Sequence, residues 1–81
     1  MGVGNTLSVR GNTHGDFSTN AQISQRFKDI VGLYRGKLNA QQSEALDMIF
    51  HKIARILAGD PNFKDHWYDI QGYAKLVEER L

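Results

Sequence analysis

The chain divides at Gly59-Asp60-Pro61 into two helical patterns, and this break constrains the fold more than any other feature. Before it, apolar residues recur every three or four positions from residue 45 to residue 57, and after it the same spacing runs from residue 63 to residue 81. Glycine commonly follows the end of a helix, and proline cannot continue a helix but can open the next one. The sequence therefore predicts two helices that fold back on each other as an antiparallel hairpin.

Each helix of this hairpin has an apolar stripe at helical spacing. The earlier one is predicted to start at an Asn39-x-x-Gln42 cap. Its stripe consists of Ala45, Leu46, Ile49, Ile53, Ile56 and Leu57. The later one is predicted to run from Pro61 or Asn62 to the C-terminus. Its stripe consists of Phe63, Trp67, Ile70, Ala74, Val77 and Leu81.

A further helix is predicted upstream of the hairpin. It should begin between Asp16 and Thr19, with Thr19-x-x-Gln22 as a capping box, and close at Gly36. Its apolar positions are Ile23, Phe27, Ile30, Val31 and Tyr34. No stretch alternates as a strand would. The sequence predicts an all-α, three-helix domain over residues 16–81, preceded by a flexible segment, residues 1–15, that holds four of the eight glycines.

The composition and charge of the chain limit the kinds of partner that it is expected to bind. Ten basic and nine acidic residues give a net charge of +1. This small charge provides no general electrostatic attraction to nucleic acid, so no nucleic-acid partner is expected. No apolar run is long enough to span a bilayer, so no membrane partner is expected. The chain has no cysteine, which fits a reducing cytoplasm.

Three short helices make a thin core, and the last two carry more apolar surface than one stripe each. The additional residues are Met48, Phe50, Tyr73 and Leu76. Such a surplus predicts a partner, and the preferred interpretation is a homodimer that completes a four-helix bundle.

A polar ridge runs along the second predicted helix. Glu44, Asp47, His51 and Arg55 are spaced three, four and four apart and therefore share one face. One interpretation is a solvated stripe, with acids early and bases late to complement the helix dipole. The other is a Glu-x-x-Asp pair that binds Mg²⁺, with His51 or Arg55 facing a phosphate.

On the third predicted helix, Asp65 and Asp69 lie one turn apart. Asp65 could complete an Asn62-x-x-Asp65 cap, whereas Asp69 caps nothing and needs a partner. That partner is either a metal ion or a cation across the hairpin, Arg55 or Lys52.

Four further residues form a structural signature in the hairpin: Gly59, Pro61, Trp67 and Gly72. Gly72 stands in mid-helix, which favours close packing of a neighbouring helix there. Trp67 is predicted to be core, and the same is favoured for Tyr73, although Tyr73 could also stack on a ligand. His14-Gly15-Asp16-Phe17 precedes the first helix, either as a plain helix start stapled by Phe17 or as an element of a site.

These motifs resemble a family of small phage and prophage proteins of unknown function that share the signature KIARIL-GDP…D-W-DI-GYA. Here the signature reads Lys52-Ile-Ala-Arg-Ile-Leu57, Gly59-Asp-Pro61, then Asp65, Trp67, Asp69-Ile70 and Gly72-Tyr-Ala74. The resemblance covers residues 10–81 and implies the cytoplasm of a bacterial host.

More distantly, the layout is similar to MazG-type all-α NTP pyrophosphohydrolases, which bind Mg²⁺ through paired acidic motifs on facing helices. That resemblance implies a metal site of Glu44, Asp47, Asp65 and Asp69, and phosphate or ligand contacts from Lys52, Arg55, His51 and Tyr73. The second acidic pair departs from the family pattern, because it is spaced four apart and has Asp in place of Glu.

Two functions follow. The first is a nucleotide-binding or pyrophosphohydrolase-related domain that uses Mg²⁺. The second is a non-enzymatic accessory module that binds a host or phage protein. The sequence leaves open whether the protein is an enzyme.

Overall fold

The computed structural model of the chain describes residues 13–81. Within this range it holds three complete α-helices, α1 (Phe17–Gly32), α2 (Ala40–Ala58) and α3 (Lys64–Glu78), and a short 3₁₀ turn, Arg35–Lys37. The described residues contain no β-strand, so the all-α prediction is confirmed. Residues 1–12 of the predicted flexible segment lie outside the described range.

The middle helix of the chain, α2, packs against both of the others. Glu44 near the start of α2 and Arg80 just beyond the end of α3 border the same groove, so α2 and α3 run antiparallel as predicted. Phe27 of α1 stacks on Phe50 of α2 with ring centroids 5.2 Å apart. None of the helices in residues 13–81 is long and apolar enough to cross a membrane.

The helix starts were only partly predictable. Asp16 caps α1, because its Oδ1 accepts a hydrogen bond of 2.8 Å from the Thr19 amide. The predicted capping box at Thr19 is therefore wrong, and Phe17 is the first helical residue rather than a staple before the helix. The box at Asn39 and Gln42 is confirmed, with reciprocal bonds of 2.7 and 3.0 Å.

Helix α3 starts later than predicted because Asp60 organises a turn in front of it. The Asp60 side chain accepts the Asn62 amide at 2.9 Å, and its carbonyl accepts the Phe63 amide at 3.2 Å. These bonds hold Pro61 and Asn62 outside the helix. The predicted Asn62-x-x-Asp65 cap is accordingly absent.

A histidine is the largest fully buried side chain among the described residues. His66 of α3 is 1% exposed, whereas the neighbouring Trp67 is 53% exposed and donates its indole N–H to the Pro61 carbonyl at 2.8 Å. The inward face of α3 is thus rotated by about one residue from the predicted stripe. The core prediction for Trp67 is wrong, as it is for Leu57, which is 63% exposed. The buried apolar residues of the described range are Ala45, Ala54 and Ile56.

The segment before α1 is pinned against the α2–α3 turn. The Thr13 carbonyl accepts the Asp60 amide at 3.1 Å and pairs with His66 Nε2 at 2.9 Å. A Cβ at Gly59 would lie 2.5 Å from the Thr13 carbonyl oxygen, so only glycine permits this approach. Residues 13–15, the end of the predicted flexible segment, are therefore packed.

Candidate functional site

A groove between the start of α1 and the end of α2 is lined mainly by polar side chains. Its volume is about 780 Å³, which lies within the usual range for a small-molecule site. We call it the polar groove. Its lining residues are His14, Gly15, Asp16, Phe17, Asn20, Ala21, Ser24, Gln25, His51, Ala54 and Arg55.

Asn20 lines this groove with its side-chain amide held in a fixed direction. Its Nδ2 donates to the carbonyls of His14 and Asp16 at 2.7 and 2.8 Å. These two bonds fix which end of the amide is nitrogen, because only the nitrogen can donate. The Oδ1 atom is buried and has no hydrogen-bond partner among the described residues. A buried unpaired carbonyl oxygen is costly and calls for a donor.

Ser24 adds a second unpaired polar atom one helical turn later. Its side chain is 3% exposed, and its Oγ has no hydrogen-bond partner within residues 13–81. Residues four apart on a helix are neighbours, so Asn20 and Ser24 form one polar strip on the inner wall of α1. Both residues line the groove, whereas the two unpaired atoms themselves are buried.

Arg55 supplies positive charge from the opposite wall. It is half-buried, and its guanidinium has no ion pair or hydrogen bond with any described residue. His51, one turn earlier on α2, faces Lys28 of α1 with 3.2 Å between its Nε2 and the Lys28 Nζ. His51 and Arg55 therefore place two basic residues at this end of the polar groove, with Lys28 facing His51, and no anionic side chain of the described residues pairs with Arg55.

The carboxylate of Asp16, which lines the groove, already accepts hydrogen bonds within α1. The Asp16 carboxylate accepts from both the amide and the hydroxyl of Thr19, at 2.8 and 2.9 Å. These bonds lower the pKa of Asp16, with the backbone bond from Thr19 as the largest cause. Asp16 is therefore ionised but committed to capping α1.

The pKa of His51 lies below its ordinary value of 6.5, mainly because partial burial disfavours the charged ring. Lys28 and Arg55 lower it further, whereas Asp47 opposes the shift. The ring is consequently neutral near neutral pH, able to donate from one nitrogen and accept at the other.

This shift predicts a pH dependence of stability. Because folding lowers the pKa of His51, the unfolded chain binds a proton more readily than the folded one, and stability should fall as pH drops through about 6.5. Thermal unfolding of the wild type and of His51→Gln, measured from about pH 8 to about pH 5, checks this. The variant should show a shallower decline on the acidic side. Equal slopes for the two proteins would contradict the assignment.

The four predicted metal ligands are separated in the structure. Asp47 pairs with Arg35 at 2.6 Å, and Asp69 pairs with Lys52 at 3.1 Å. Glu44 borders a different, apolar groove, and Asp65 is exposed at the start of α3. No three His, Asp or Glu side chains within residues 13–81 are grouped to hold a metal ion. The magnesium site remains a prediction that this arrangement does not support.

Of the predicted phosphate contacts, the structure brings His51 and Arg55 together in the polar groove. Lys52 is instead the cation across the hairpin from Asp69, one of the two partners predicted for that residue. Tyr73 lines the apolar groove and is half-buried there.

Gly72 is not a point of close packing within the described chain. It is exposed, and a Cβ built there would meet no described atom within 4 Å. The prediction of a neighbouring helix at Gly72 is wrong for residues 13–81. Gly59 and Gly15 are the described positions where close approach of the backbone requires glycine.

Asn20 and Ser24 were missed in the sequence. The available signal was weak: two small polar residues four apart, next to the apolar positions Ile23 and Phe27 of the same helix. In the sequence, polar residues at these two positions look like an ordinary solvent-exposed helix face. Their burial becomes clear only from the packing of α1 against α2.

A family model described as a domain of unknown function (DUF6378) matches residues 5–81. The chain belongs to this family. No curated protein and no solved structure gives a match. The prediction of a small uncharacterised family is confirmed to that extent. Every residue of the polar groove lies within the DUF6378 match, so the groove is part of the family's own domain.

Proposed function

We propose that this domain binds a small anionic molecule, a nucleotide, in the polar groove. The observation that carries the proposal is Arg55, a half-buried residue whose guanidinium has no anionic partner in the described chain. Buried charge is costly unless it is paired, and guanidinium groups bind phosphate oxygens through two parallel hydrogen bonds.

The surroundings of Arg55 support the same ligand. His51 lines the groove one turn from Arg55, where its neutral ring can donate a hydrogen bond to a phosphate oxygen, and the positive charge of Lys28 faces His51. At the groove mouth, Phe17 is 86% exposed and offers an aromatic face on which a planar base can stack. Phosphate recognition at one end and stacking at the other fit a nucleotide better than a bare anion.

The MazG-related pyrophosphohydrolase remains a narrower form of this proposal. Cleavage would require Mg²⁺ at the acidic residues, so Asp47 and Asp69 would have to exchange Arg35 and Lys52 for the metal. Binding without cleavage requires no such exchange, and we place it first. A phage or prophage origin and a location in the host cytoplasm belong to the same proposal.

Calorimetric titration with AMP, with and without Mg²⁺, tests the proposal. Arg55→Gln should weaken binding about 10- to 100-fold, because a charge-assisted hydrogen bond contributes about 1.5–3 kcal/mol. Arg26→Gln is the matched control, since Arg26 is exposed and outside the groove and its loss changes the net charge equally. That control should bind like the wild type.

Two results would contradict the proposal. One is the absence of AMP binding by the wild type. The other is equal weakening in both arginine variants, which would mean that general charge, and not the groove, attracts the nucleotide.

A second candidate is a protein-binding module, and the exposed apolar surface favours it. Within the described range only three apolar side chains are buried, whereas nine large ones are exposed. The apolar groove between the start of α2 and the end of α3 has a volume of about 500 Å³. Its lining residues are Ala40, Gln41, Glu44, Ala45, Met48, Tyr73, Leu76, Val77 and Arg80.

We propose a second copy of the chain as the occupant of this apolar groove. Glu44 of α2 and Arg80 just beyond α3 border it, so a two-fold pairing can set each glutamate against the arginine of the other copy. Sedimentation equilibrium should show a dimer for the wild type and for Leu57→Glu, and a monomer for Leu76→Glu. Leu57 is exposed outside the groove, so its variant controls for added charge. A monomeric wild type would exclude the dimer.

A further inference from the structure

We infer that the polar groove selects phosphate monoesters over phosphate diesters, because two cations without acidic partners, Arg55 and Lys28, adjoin His51 and match a doubly charged phosphate. The inference rests on the proposed nucleotide binding and names the chemical form of the phosphate. It makes Lys28 and His51 specificity-determining residues in addition to Arg55.

The first step is to separate the paired charges around His51 from the unpaired ones. The charged groups that act on the His51 ring are Lys28 of α1 and Asp47, Lys52 and Arg55 of α2. Asp47 and Lys52 already belong to ion pairs, with N–O distances of 2.6 and 3.1 Å. Lys28 and Arg55 have no ion pair with any described residue. The surroundings of His51 therefore contain two positive charges that nothing in the described chain compensates.

The second step concerns access, because a ligand must be able to reach these groups. Nζ of Lys28 lies 3.2 Å from Nε2 of His51, and this contact is exposed. An ammonium group can only donate, so Nε2 is the acceptor and the neutral ring carries its proton on Nδ1. His51 and Arg55 lie four residues apart on α2 and both line the polar groove. An anion bound beside the exposed ring is therefore close to both cations.

The third step is the charge of the ligand. A phosphate monoester carries nearly two negative charges above its second pKa of about 6, whereas a diester carries only one. The monoester can accept charge-assisted hydrogen bonds from the ammonium and the guanidinium with its charge fully matched. A diester would leave one of the two positive charges uncompensated. The pair of cations therefore favours the monoester.

Binding of the dianion should also change the protonation of His51. Partial burial is the main cause that holds the pKa of His51 below 6.5, and the charges of Lys28 and Arg55 lower it further. An anion that pairs with both cations cancels their effect and favours the protonated ring. His51 should therefore take up a proton when the monoester binds.

The test compares AMP with its 5′-phosphate methyl ester, which keeps the base and the sugar but carries one negative charge fewer. Calorimetry at about pH 7.5, where the AMP phosphate is already a dianion, measures both affinities. AMP should bind about tenfold or more tightly than the methyl ester, because the ester forgoes a charge-assisted interaction.

Lys28→Gln should weaken AMP binding about tenfold and leave the methyl ester nearly unaffected, so that the preference largely disappears. Lys64→Gln is the matched control, because Lys64 is exposed at the start of α3 and lines neither groove. The control should bind both ligands like the wild type. Both variants should melt at the wild-type temperature, since neither lysine forms an ion pair with a described residue.

Proton uptake provides a readout that a merely structural role of His51 would not change. The same titration in two buffers of different ionisation enthalpy counts the protons that are taken up on binding. The wild type should take up a fraction of a proton with AMP. His51→Gln should take up none, and uptake that persists in this variant would contradict the role assigned to His51.

The outcomes separate the inference from the proposal on which it rests. Equal affinities for AMP and the methyl ester, both reduced by Arg55→Gln, would overturn the selectivity and leave nucleotide binding intact. An undiminished preference for AMP in Lys28→Gln would overturn the role of Lys28. No binding of either compound by the wild type would overturn the proposed function itself.

Discussion

Gly59→Ala is expected to lower the free energy of unfolding by about 3 kcal/mol or more, the upper range for an overpacked site. The φ of Gly59, −116°, lies outside the left-handed region that favours glycine. The cause is contact: the new Cβ would lie 2.5 Å from the Thr13 carbonyl oxygen and 2.6 Å from the Gly15 nitrogen. Relieving it means moving residues 13–15 away and losing the bonds from Asp60 and His66 to Thr13.

Gly72→Ala is the matched control, and it should change stability in the opposite direction. It is exposed in the interior of α3 with no described atom near a Cβ, so alanine should add about 0.5–1 kcal/mol of helix stability. Urea unfolding followed by circular dichroism measures both changes. Similar stabilities for the two variants would show that the segment before α1 is not pinned at Gly59.

His66→Ala is expected to cost about 3 kcal/mol, because it empties the largest fully buried position of the described chain. The ring packs edge-on against His14 and Phe63, with centroid distances of 4.7 and 4.9 Å. Its Nε2 also bonds to the Thr13 carbonyl at 2.9 Å. The substitution therefore removes packing between α3 and the N-terminal segment together with a buried hydrogen bond.

The same urea measurement, with His51→Ala as control, checks this prediction. His51 is exposed on α2, so its replacement should change stability by less than about 0.5 kcal/mol near neutral pH. A His66 variant as stable as the His51 variant would contradict the central packing role of His66.

The sequence predicted the helices because their apolar periods, the Gly59-Pro61 break and the Asn39 cap are local signals. It failed where a contact between distant segments decides the outcome. His66 reads as a polar neighbour of Trp67, and only the docking of Thr13, far away in the chain, gives the histidine a buried partner. The same docking explains why Gly59 is needed for close approach, whereas Gly72 is not.

The candidate site shows the same division. His51 and Arg55 could be selected from one helix, because residues four apart share a face. Asn20 and Ser24 belong to another helix, and their burial depends on how α1 lies against α2. The acidic residues were predicted to converge, but nearby cations neutralise two of them: Arg35 holds Asp47 and Lys52 holds Asp69. Helical spacing gives the face of each acid but not the partner it meets.

The most direct test of the polar groove is a titration of the ¹⁵N-labelled protein with AMP, followed residue by residue, with and without Mg²⁺. Saturable shifts confined to Asn20, Ser24, His51, Arg55 and their neighbours, independent of Mg²⁺, are the predicted result. Shifts that require Mg²⁺ and centre on Asp47 and Asp69 would place the ligand at the acidic residues instead, and an unchanged spectrum would show that the groove binds no nucleotide.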